Sequence, residues 1–251
     1  MNMPLGTPAD VAVILVAGVG ERLRPLTNDR PKCLVDVGQG TLLGRTVALL
    51  VAHGVQEIVL ATGYREDAVR AAMQGCAVPV RYCLNVAYAT TQNGMSLLEC
   101  EAAVGGRSFY KLDGDLLFRR EVLERLDGCA APLAVALERK AELGAEEMKA
   151  TYVPGSQRIA AFGKGLEPKE AAGESIGLER VSGVAVLPLF HALEAARAAE
   201  ETHLYYEDVY GRMVAGGLWA EGVEVSDLAW TEVDTPEDLD RAREMVRAGL
   251  V

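Results

Sequence analysis

A short apolar run, VAVILVA, at Val11–Ala17 is the feature of the sequence that most constrains the fold. It is rich in β-branched residues and apolar at every position, which is typical of a strand covered on both faces. The following segment has an apolar stripe with helical spacing, formed by Leu42, Leu43, Thr46, Val47 and Leu50. Gly54 then suits the C-terminal cap of that helix. A buried strand followed by an amphipathic helix is the repeating unit of a parallel, doubly wound sheet.

The same alternation continues through the first half of the chain. Further strands are predicted at Glu57–Gly63, near Val80–Leu84 and at Ser108–Asp115, with helices at Glu66–Gly75 and near Met95–Ala103. The pattern therefore predicts an α/β fold with helices on both faces of the sheet.

The second half of the chain has a looser pattern. Strands are predicted near Leu133–Leu137, Lys149–Val153, Arg158–Phe162 and Gly177–Val186, and helices near Leu189–Glu200, Glu207–Ala215 and Pro236–Ala248. Neither an internal repeat nor a Pro/Ser-rich linker separates the two halves. We therefore expect one domain over residues 1–251, with an elaborated C-terminal part and a flexible lead-in at residues 1–10.

The charge balance excludes several classes of function. The chain has 25 Lys and Arg against 36 Asp and Glu, a formal net charge of −11, so general nucleic-acid binding is not expected. The apolar run at Val11–Val19 is too short to span a membrane, and the N-terminus lacks the basic region of a secretory signal. The five cysteines show no C-x-x-C spacing, which favours reduced, mostly buried thiols. These features predict a cytoplasmic protein.

A glycine-rich loop follows the first strand, in the stretch LVAGVGERLRPLTNDRPKCLV. Open α/β sheets bind ligands at the carboxyl ends of their strands, and glycines let backbone N–H groups approach an anion. Arg22 and Lys32 add two cations, so Gly18 and Gly20 are predicted to lie at a phosphate site. Leu23 stands where the dinucleotide-binding motif requires its third glycine, and no Gly-Lys-Ser/Thr of a Walker A loop occurs.

This loop closely resembles the signature of the sugar-phosphate and alkyl-phosphate nucleotidyltransferases. In this chain Val16 stands where the signature usually has an alanine. The resemblance implies a Rossmann-like, mixed and mainly parallel sheet, and a loop that wraps a nucleoside triphosphate. It implies that Arg22 contacts the β- and γ-phosphates and that Lys32 contacts the α-phosphate and the incoming phosphate. Ala17, Gly18 and Gly20 are the corresponding nucleotide-binding positions of the loop.

A second stretch, YATTQNGMSLLE, resembles the base-reading segment of the phosphocholine cytidylyltransferase branch of that family. The resemblance implies that Asn93 and Ser96 contact the base and that the nucleotide is CTP. The blocks EEMKATYV and GESIGLERVSGVAVL also resemble bacterial members of this branch.

The carboxylates predict a magnesium site. Asp113 and Asp115 follow a predicted strand, and hard oxygen ligands suit Mg²⁺. The resemblance implies that Asp115 and Asp234 are the metal ligands, whereas Asp113 is interpreted as a strand-end residue that supports the loop. For Asp234 the alternative is the N-cap of a helix, because Asp-Thr-Pro-Glu-Asp is also a good helix start.

The acceptor pocket is predicted from four residues. Lys149 is a candidate for the acceptor phosphate, with an exposed strand-end lysine as the alternative. Glu174 is a candidate for a hydroxyl or cationic group, with a turn residue as the alternative. Tyr206 and Glu207 match an aromatic–acid pair of the phosphocholine branch and could hold a quaternary ammonium through cation–π contact. The alternative is that Tyr206 and Tyr210 pack their helix onto the core.

Together these residues predict a Mg²⁺-dependent transfer of CMP from CTP to a small phosphorylated or phosphonylated alcohol such as phosphocholine, with release of pyrophosphate. One alternative is a sugar-1-phosphate nucleotidyltransferase that uses UTP, dTTP or GTP. Another is an inactive, nucleotide-binding regulatory subunit. A homodimer is one of the oligomeric states left open.

Overall fold

The computed structural model describes residues 8–140, 143–145 and 147–251. The expected flexible lead-in covers residues 1–10, and residues 1–7 of it lie outside the described residues. At its described end Ala9 is buried. The carbonyl of Asp10 accepts hydrogen bonds from the backbone amides of Gln56 and Glu57, so the chain is anchored to the sheet from this point.

Strands and helices alternate through the first half of the chain, as the sequence predicts. The strands are β1 (Val11–Leu15), β2 (Glu57–Thr62), β3 (Val80–Leu84), β4 (Phe109–Asp113), β5 (Leu116–Phe118), β6 (Leu133–Glu138), β7 (Lys149–Tyr152), β8 (Ile159–Gly163), β9 (Gly173–Val181), β10 (Ala220–Glu224) and β11 (Trp230–Glu232). The α-helices are α1 (Leu42–His53), α2 (Glu66–Ala72), α3 (Asn93–Leu98), α4 (Glu101–Val104), α5 (Glu121–Gly128), α6 (Gly183–Ala198), α7 (Tyr206–Ala215) and α8 (Pro236–Arg247). Within the described residues, none of these helices combines the length and the apolar character needed to cross a membrane.

The central sheet has the strand order β10-β6-β9-β4-β1-β2-β3. β1 runs parallel to β2 and β4, β3 runs parallel to β2, and β10 runs parallel to β6. β9 runs antiparallel to both of its neighbours, β4 and β6, and β7 and β8 form a hairpin beside it. The predicted mixed, mainly parallel sheet is therefore confirmed.

Helices cover both faces of the sheet, and β1 is buried at every position. Val11, Val13 and Leu15 face a core shared with α3, α6 and α7. Ala12 and Ile14 face a second core, shared with α1, α2 and α5. The helical stripe predicted for α1 is the buried face of that helix, and Gly54 caps it with a φ of 117°. The interpretation of VAVILVA as a strand buried on both sides is confirmed.

The prediction of a strand at Gly177–Val186 was wrong at both ends. β9 begins four residues earlier and ends at Val181, and α6 begins at Gly183. Val184 and Val186 favour a strand by their β-branched side chains. However, the buried residues of α6 follow helical spacing, and they are Ala185, Val186, Leu189, Phe190, Leu193 and Ala196. Burial of this stripe against the sheet therefore outweighs the local preference.

The order of the strands brings distant segments to one edge of the sheet. Leu15 at the end of β1 is paired with Asp113 at the end of β4. β11 pairs antiparallel with β5, which places Glu232 opposite Leu116. The amide of Val233 donates a hydrogen bond of 3.0 Å to the carbonyl of Asp115. The glycine-rich loop, the turn after β4 and the segment before α8 therefore meet at the carboxyl ends of β1 and β4.

Candidate active site

A cleft of about 1260 Å³ opens at this edge of the sheet. Most of the site residues predicted from the sequence line it, and they are Ala17, Gly18, Gly20, Arg22, Lys32, Asn93, Ser96, Asp115, Glu174, Glu207 and Asp234. Lys149 and Tyr206 are fully buried and do not line the cleft. The predicted nucleotide, metal and acceptor residues thus share one cleft, with these two exceptions.

The conformation of the glycine-rich loop depends on Gly20. Its φ is 71°, and a Cβ atom at this position would lie 2.7 Å from the Cβ of Lys32. The hydroxyl of Thr27 donates a hydrogen bond of 2.8 Å to the carbonyl of Gly20 and so fixes the turn. A Cβ atom on Gly18 would meet nothing within 4 Å. Gly20 is therefore required by the turn itself, whereas Gly18 leaves the loop open toward the cleft.

The two predicted cations of the loop form ion pairs with the two predicted metal ligands. The ammonium of Lys32 contacts both Asp115 and Asp234, and the guanidinium of Arg22 also contacts Asp234. The side chains of Lys32, Asp115 and Asp234 are 17%, 14% and 19% exposed. Burial lowers the pKa of Lys32, but the two carboxylates outweigh it and hold that pKa above its usual value. Lys32 is therefore a cation held by two carboxylates at the floor of the cleft.

A third carboxylate, Glu232, completes an acidic cluster that sequence reasoning missed. Carboxylate oxygens of Asp115, Glu232 and Asp234 lie within 4.8 Å of one another. The negative charge of Asp115 is the main cause that raises the pKa of Glu232 to about 8. Oδ1 of Asp115 is buried and has no hydrogen-bond partner among the described residues. A signal for Glu232 was present in WTEVD, since residues two apart at a strand end share one side.

The N-cap alternative for Asp234 was wrong. The N-cap of α8 is Thr235, whose hydroxyl accepts a hydrogen bond from the amide of Asp238. The Asp238 side chain accepts a hydrogen bond from the Thr235 amide in return, which is a capping box. The carboxylate of Asp234 is thereby free of the cap and faces Arg22 and Lys32.

The two predicted base-contacting residues lie on α3 and are held by neighbours. Oδ1 of Asn93 accepts a hydrogen bond of 3.0 Å from the amide of Tyr206. Oγ of Ser96 accepts one of 3.0 Å from the side chain of Asn85. These bonds fix both side chains at the cleft, and contact of Asn93 and Ser96 with the base stays a prediction.

Lys111 and its partners form a buried polar cluster beside the cleft. The Lys111 ammonium lies 3.0 Å from Asp113 and 3.3 Å from Glu179, and 3.2 Å from the centre of the Tyr206 ring. The Tyr206 hydroxyl donates a hydrogen bond of 3.0 Å to Asp113. The Tyr206 ring also packs edge-on against Tyr210, with 5.4 Å between their centres. The structure therefore shows the packing alternative for Tyr206 and Tyr210, and contact of Tyr206 with a ligand stays a prediction.

Glu207 borders both this cluster and the cleft. It is 6% exposed, and its Oε2 has no hydrogen-bond partner within the described part of the chain. Burial raises the pKa of Glu207 to about 8 and that of Glu179 to about 7. Sequence reasoning missed Lys111 and Glu179, although a lysine inside the apolar strand FYKLD was a signal that buried carboxylates would surround it.

The remaining acceptor residues occupy positions that the sequence did not predict. The buried ammonium of Lys149 donates hydrogen bonds to the carbonyls of Gly144, Ala145 and Glu147, at 2.9–3.2 Å. Lys149 therefore holds the segment before β7, and the exposed-lysine alternative was wrong.

Glu174 is part of β9 rather than of a turn, so the turn alternative was wrong as well. Its carboxylate pairs with Lys140. Lys140 and Lys164 both line the cleft and are the lysines near the predicted acceptor pocket that sequence reasoning missed.

Comparison with known proteins agrees with this geometry. Residues 11–120 match the family described as Nucleotidyl transferase. CMP-5′-(3-aminopropyl)phosphonate synthase of Streptomyces rubellomurinus is 31% identical over 96% of this chain and 40% of that protein. The bifunctional IPC transferase and DIPP synthase of Rubrobacter xylanophilus is 32% identical over 94% of this chain and 51% of that protein. The chain thus spans about half or less of the length of these relatives.

The fold is shared with a solved structure. The inositol-1-phosphate CTP transferase from T. maritima superposes with a TM-score of 0.79 over 98% of this chain and 99% of that chain, at 20% sequence identity. The family match covers β1, the glycine-rich loop and the turn that carries Asp115. The part of the chain at residues 11–120 therefore belongs to the Nucleotidyl transferase family.

Proposed function

We propose that the protein transfers CMP from CTP to a small phosphate- or phosphonate-bearing alcohol, such as a phosphocholine-like compound, with release of pyrophosphate and with Mg²⁺ as cofactor. The observation that carries this proposal is the arrangement of Lys32, Asp115 and Asp234 beneath the open glycine-rich loop. Two cations and a group of carboxylates meet there. Phosphoryl transfer needs such cations beside the phosphates and such carboxylates to hold a metal ion.

The acidic cluster has the donor atoms that suit Mg²⁺. Its carboxylate oxygens are hard ligands, and Oδ1 of Asp115 is buried without a partner among the described residues. Asp115, Asp234 and Glu232 would hold the ion. When bound, Mg²⁺ would neutralise negative charge on the phosphate oxygens of the nucleotide.

The residues of the chain then serve to position and neutralise the reactants. An acceptor phosphate or phosphonate oxygen is already anionic at neutral pH, so the attack on the α-phosphorus requires no general base. The backbone of the loop at Gly18 and Gly20 offers N–H groups to the triphosphate, and Arg22 and Lys32 supply positive charge beside it. Holding two mutually repelling anions in line is the main catalytic task.

For the acceptor phosphate we favour the cleft lysines, Lys140 and Lys164, over Lys149. Both line the cleft, whereas the ammonium of Lys149 is bonded to three backbone carbonyls. Lys140 also pairs with Glu174, which places positive and negative groups next to each other on the acceptor side of the cleft. A cytoplasmic location and a homodimer stay predictions.

CTP is expected to be the preferred nucleotide among CTP, UTP, dTTP and GTP. The names of the synthase from S. rubellomurinus and the transferase from T. maritima refer to CMP and CTP, which supports this choice. A pocket that pairs the exocyclic amine of cytosine would leave polar groups unpaired with UTP, at about 1–3 kcal/mol each. We therefore expect kcat/KM for CTP to exceed that for UTP roughly ten- to hundredfold.

Pyrophosphate release, measured with each nucleotide against a panel of acceptors, checks this expectation. Equal rates with CTP and UTP, or a preference for dTTP, would favour the sugar-1-phosphate alternative. Absence of pyrophosphate release with every pair would favour the regulatory alternative.

A further inference from the structure

Two cysteine side chains, those of Cys83 and Cys100, lie next to each other outside the cleft. Cys83 is on β3, in register with Ala61 of β2, and Ala61 faces the core shared with α3, α6 and α7. Cys100, between α3 and α4, is buried in that same core, and Cys83 packs against it. The two side chains are hydrogen-bonded to each other. The fold therefore pairs two thiols that no C-x-x-C spacing connects in the sequence.

The two thiols differ in exposure and in acidity. Cys83 is partly exposed, whereas Cys100 is fully buried. The hydrogen bond from Cys100 lowers the pKa of Cys83, and the same bond, together with burial, raises the pKa of Cys100 well above its usual value. An accessible thiol that ionises more readily, beside a buried thiol that keeps its proton, is typical of an attacking cysteine and its resolving partner.

The other three cysteines lie on the opposite face of the sheet. Cys33 is buried in the second core, and Cys76 and Cys129 pack against that core. Burial also raises the pKa of Cys33 to about 12 and that of Cys129 to about 11, so both thiols stay protonated at neutral pH. The sheet therefore separates these three cysteines from Cys83 and Cys100.

Both thiols are close to the groups that hold Ser96, which lines the cleft. Sγ of Cys100 donates a hydrogen bond of 3.7 Å to the carbonyl of Ser96. The side chain of Asn85, two residues after Cys83, donates one of 3.0 Å to Oγ of Ser96. A disulfide brings its two sulfurs to about 2.05 Å and leaves no thiol hydrogen to donate. A bond between Cys83 and Cys100 would therefore draw β3 and the end of α3 together and release the carbonyl of Ser96.

We propose that hydrogen peroxide converts Cys83 and Cys100 into a reversible disulfide, and that this disulfide weakens nucleotide binding in the cleft. The pair is thus a site of oxidative modification that acts on the cleft through α3. The first half of this inference is independent of the proposed function, and the second half rests on it.

The oxidation takes place in two steps. The Cys83 thiolate attacks one oxygen of hydrogen peroxide, which forms an S–O bond and breaks the O–O bond, and the leaving hydroxide takes up a proton to become water. The Cys100 sulfur then attacks the sulfur of this sulfenic acid. The S–S bond forms, the S–O bond breaks, and the hydroxide leaves as a second water with the proton of Cys100. Two thiols thereby give two electrons to one molecule of hydrogen peroxide.

Peptide mapping tests the disulfide without reference to activity. The protein is treated with hydrogen peroxide, its remaining thiols are alkylated, and chymotrypsin cleaves it after Tyr88, between the two cysteines. We expect two linked peptides that carry Cys83 and Cys100 and that dithiothreitol separates. Cys100→Ser should abolish the link, whereas Cys76→Ser is the matched control and should keep it. Absence of the linked peptides from the treated, unaltered protein would overturn the inference.

Nucleotide affinity tests the effect on the cleft. Calorimetry measures the binding of α,β-methylene-CTP, a nucleotide that cannot be cleaved at the α-phosphorus, in the presence of Mg²⁺. We expect the oxidised protein to bind it roughly tenfold more weakly, since small displacements of positioning groups carry large effects. Dithiothreitol should restore the affinity, which distinguishes a disulfide from methionine sulfoxide because dithiothreitol leaves the sulfoxide in place.

Cys83→Ser assigns the change in affinity to the pair, because this variant should bind the analogue equally well before and after peroxide treatment. A linked Cys83–Cys100 peptide together with unchanged affinity in the unaltered protein would overturn the effect on the cleft. A reduced protein that binds no nucleotide, but forms the linked peptides, would contradict the proposed function and leave the oxidation site intact.

Discussion

Replacing Lys32 by methionine is expected to lower kcat for pyrophosphate release by roughly 10³-fold, because the charge that develops on the phosphates loses its nearest cation. The same variant should bind a divalent metal more tightly in the absence of nucleotide. Lys32 contacts both Asp115 and Asp234, so its ammonium competes with a metal ion for these carboxylates. Binding of Mn²⁺, followed by its electron paramagnetic resonance signal, measures the second effect independently of turnover.

Arg24→Gln is the matched control for this experiment. Arg24 belongs to the same loop, but it pairs with Glu21 at the surface and does not line the cleft. It should retain kcat and Mn²⁺ affinity. A Lys32→Met variant with near-normal kcat, or with weaker Mn²⁺ binding than the unaltered protein, would contradict the roles given to Lys32.

Asp115→Asn is expected to lower kcat by roughly 10²- to 10³-fold and to raise the Mg²⁺ concentration needed for half-maximal activity, because a neutral amide is a poorer ligand for the ion. Asp234→Asn should act in the same direction. EDTA should abolish the activity of the unaltered protein, and added Mg²⁺ should restore it. Titration of kcat with Mg²⁺ for the three proteins checks these expectations.

Asp240→Asn is the control for the two carboxylate variants. Asp240 lies on the exposed side of α8, where it pairs with Arg243, so its replacement should leave the Mg²⁺ titration unchanged. Since the N-cap of α8 is Thr235, Asp234→Asn removes no capping interaction. The thermal stability of the metal-free variant should therefore not fall through the loss of a helix cap. Unchanged Mg²⁺ dependence in both Asp115→Asn and Asp234→Asn would place the metal elsewhere.

Local patterns predicted the elements whose side chains alternate or repeat regularly. VAVILVA predicted β1, and the spacing of Leu42, Leu43, Thr46, Val47 and Leu50 predicted the buried face of α1. The boundary between β9 and α6 was not predictable in this way, because Val184 and Val186 favour a strand locally. Only packing against the sheet shows that the segment is helical.

The candidate site was predictable where a motif fixes the chemistry, as in the loop with Lys32 and in the turn with Asp115. Side chains that depend on tertiary pairing were missed. Glu232 reaches the cluster because β11 pairs with β5. The ammonium of Lys111 from β4 lies against the ring of Tyr206. The residue pattern of α7 alone does not predict this contact.

The most direct test of nucleotidyl transfer follows the α-phosphorus of CTP. The protein is incubated with Mg²⁺, CTP labelled at that phosphorus, and in turn with 3-aminopropylphosphonate, phosphocholine and glucose-1-phosphate. We predict that the label moves into a CMP ester of an acceptor, with one pyrophosphate released for each ester formed. Label that stays in CTP with every acceptor, or that appears only in free CMP, would contradict it.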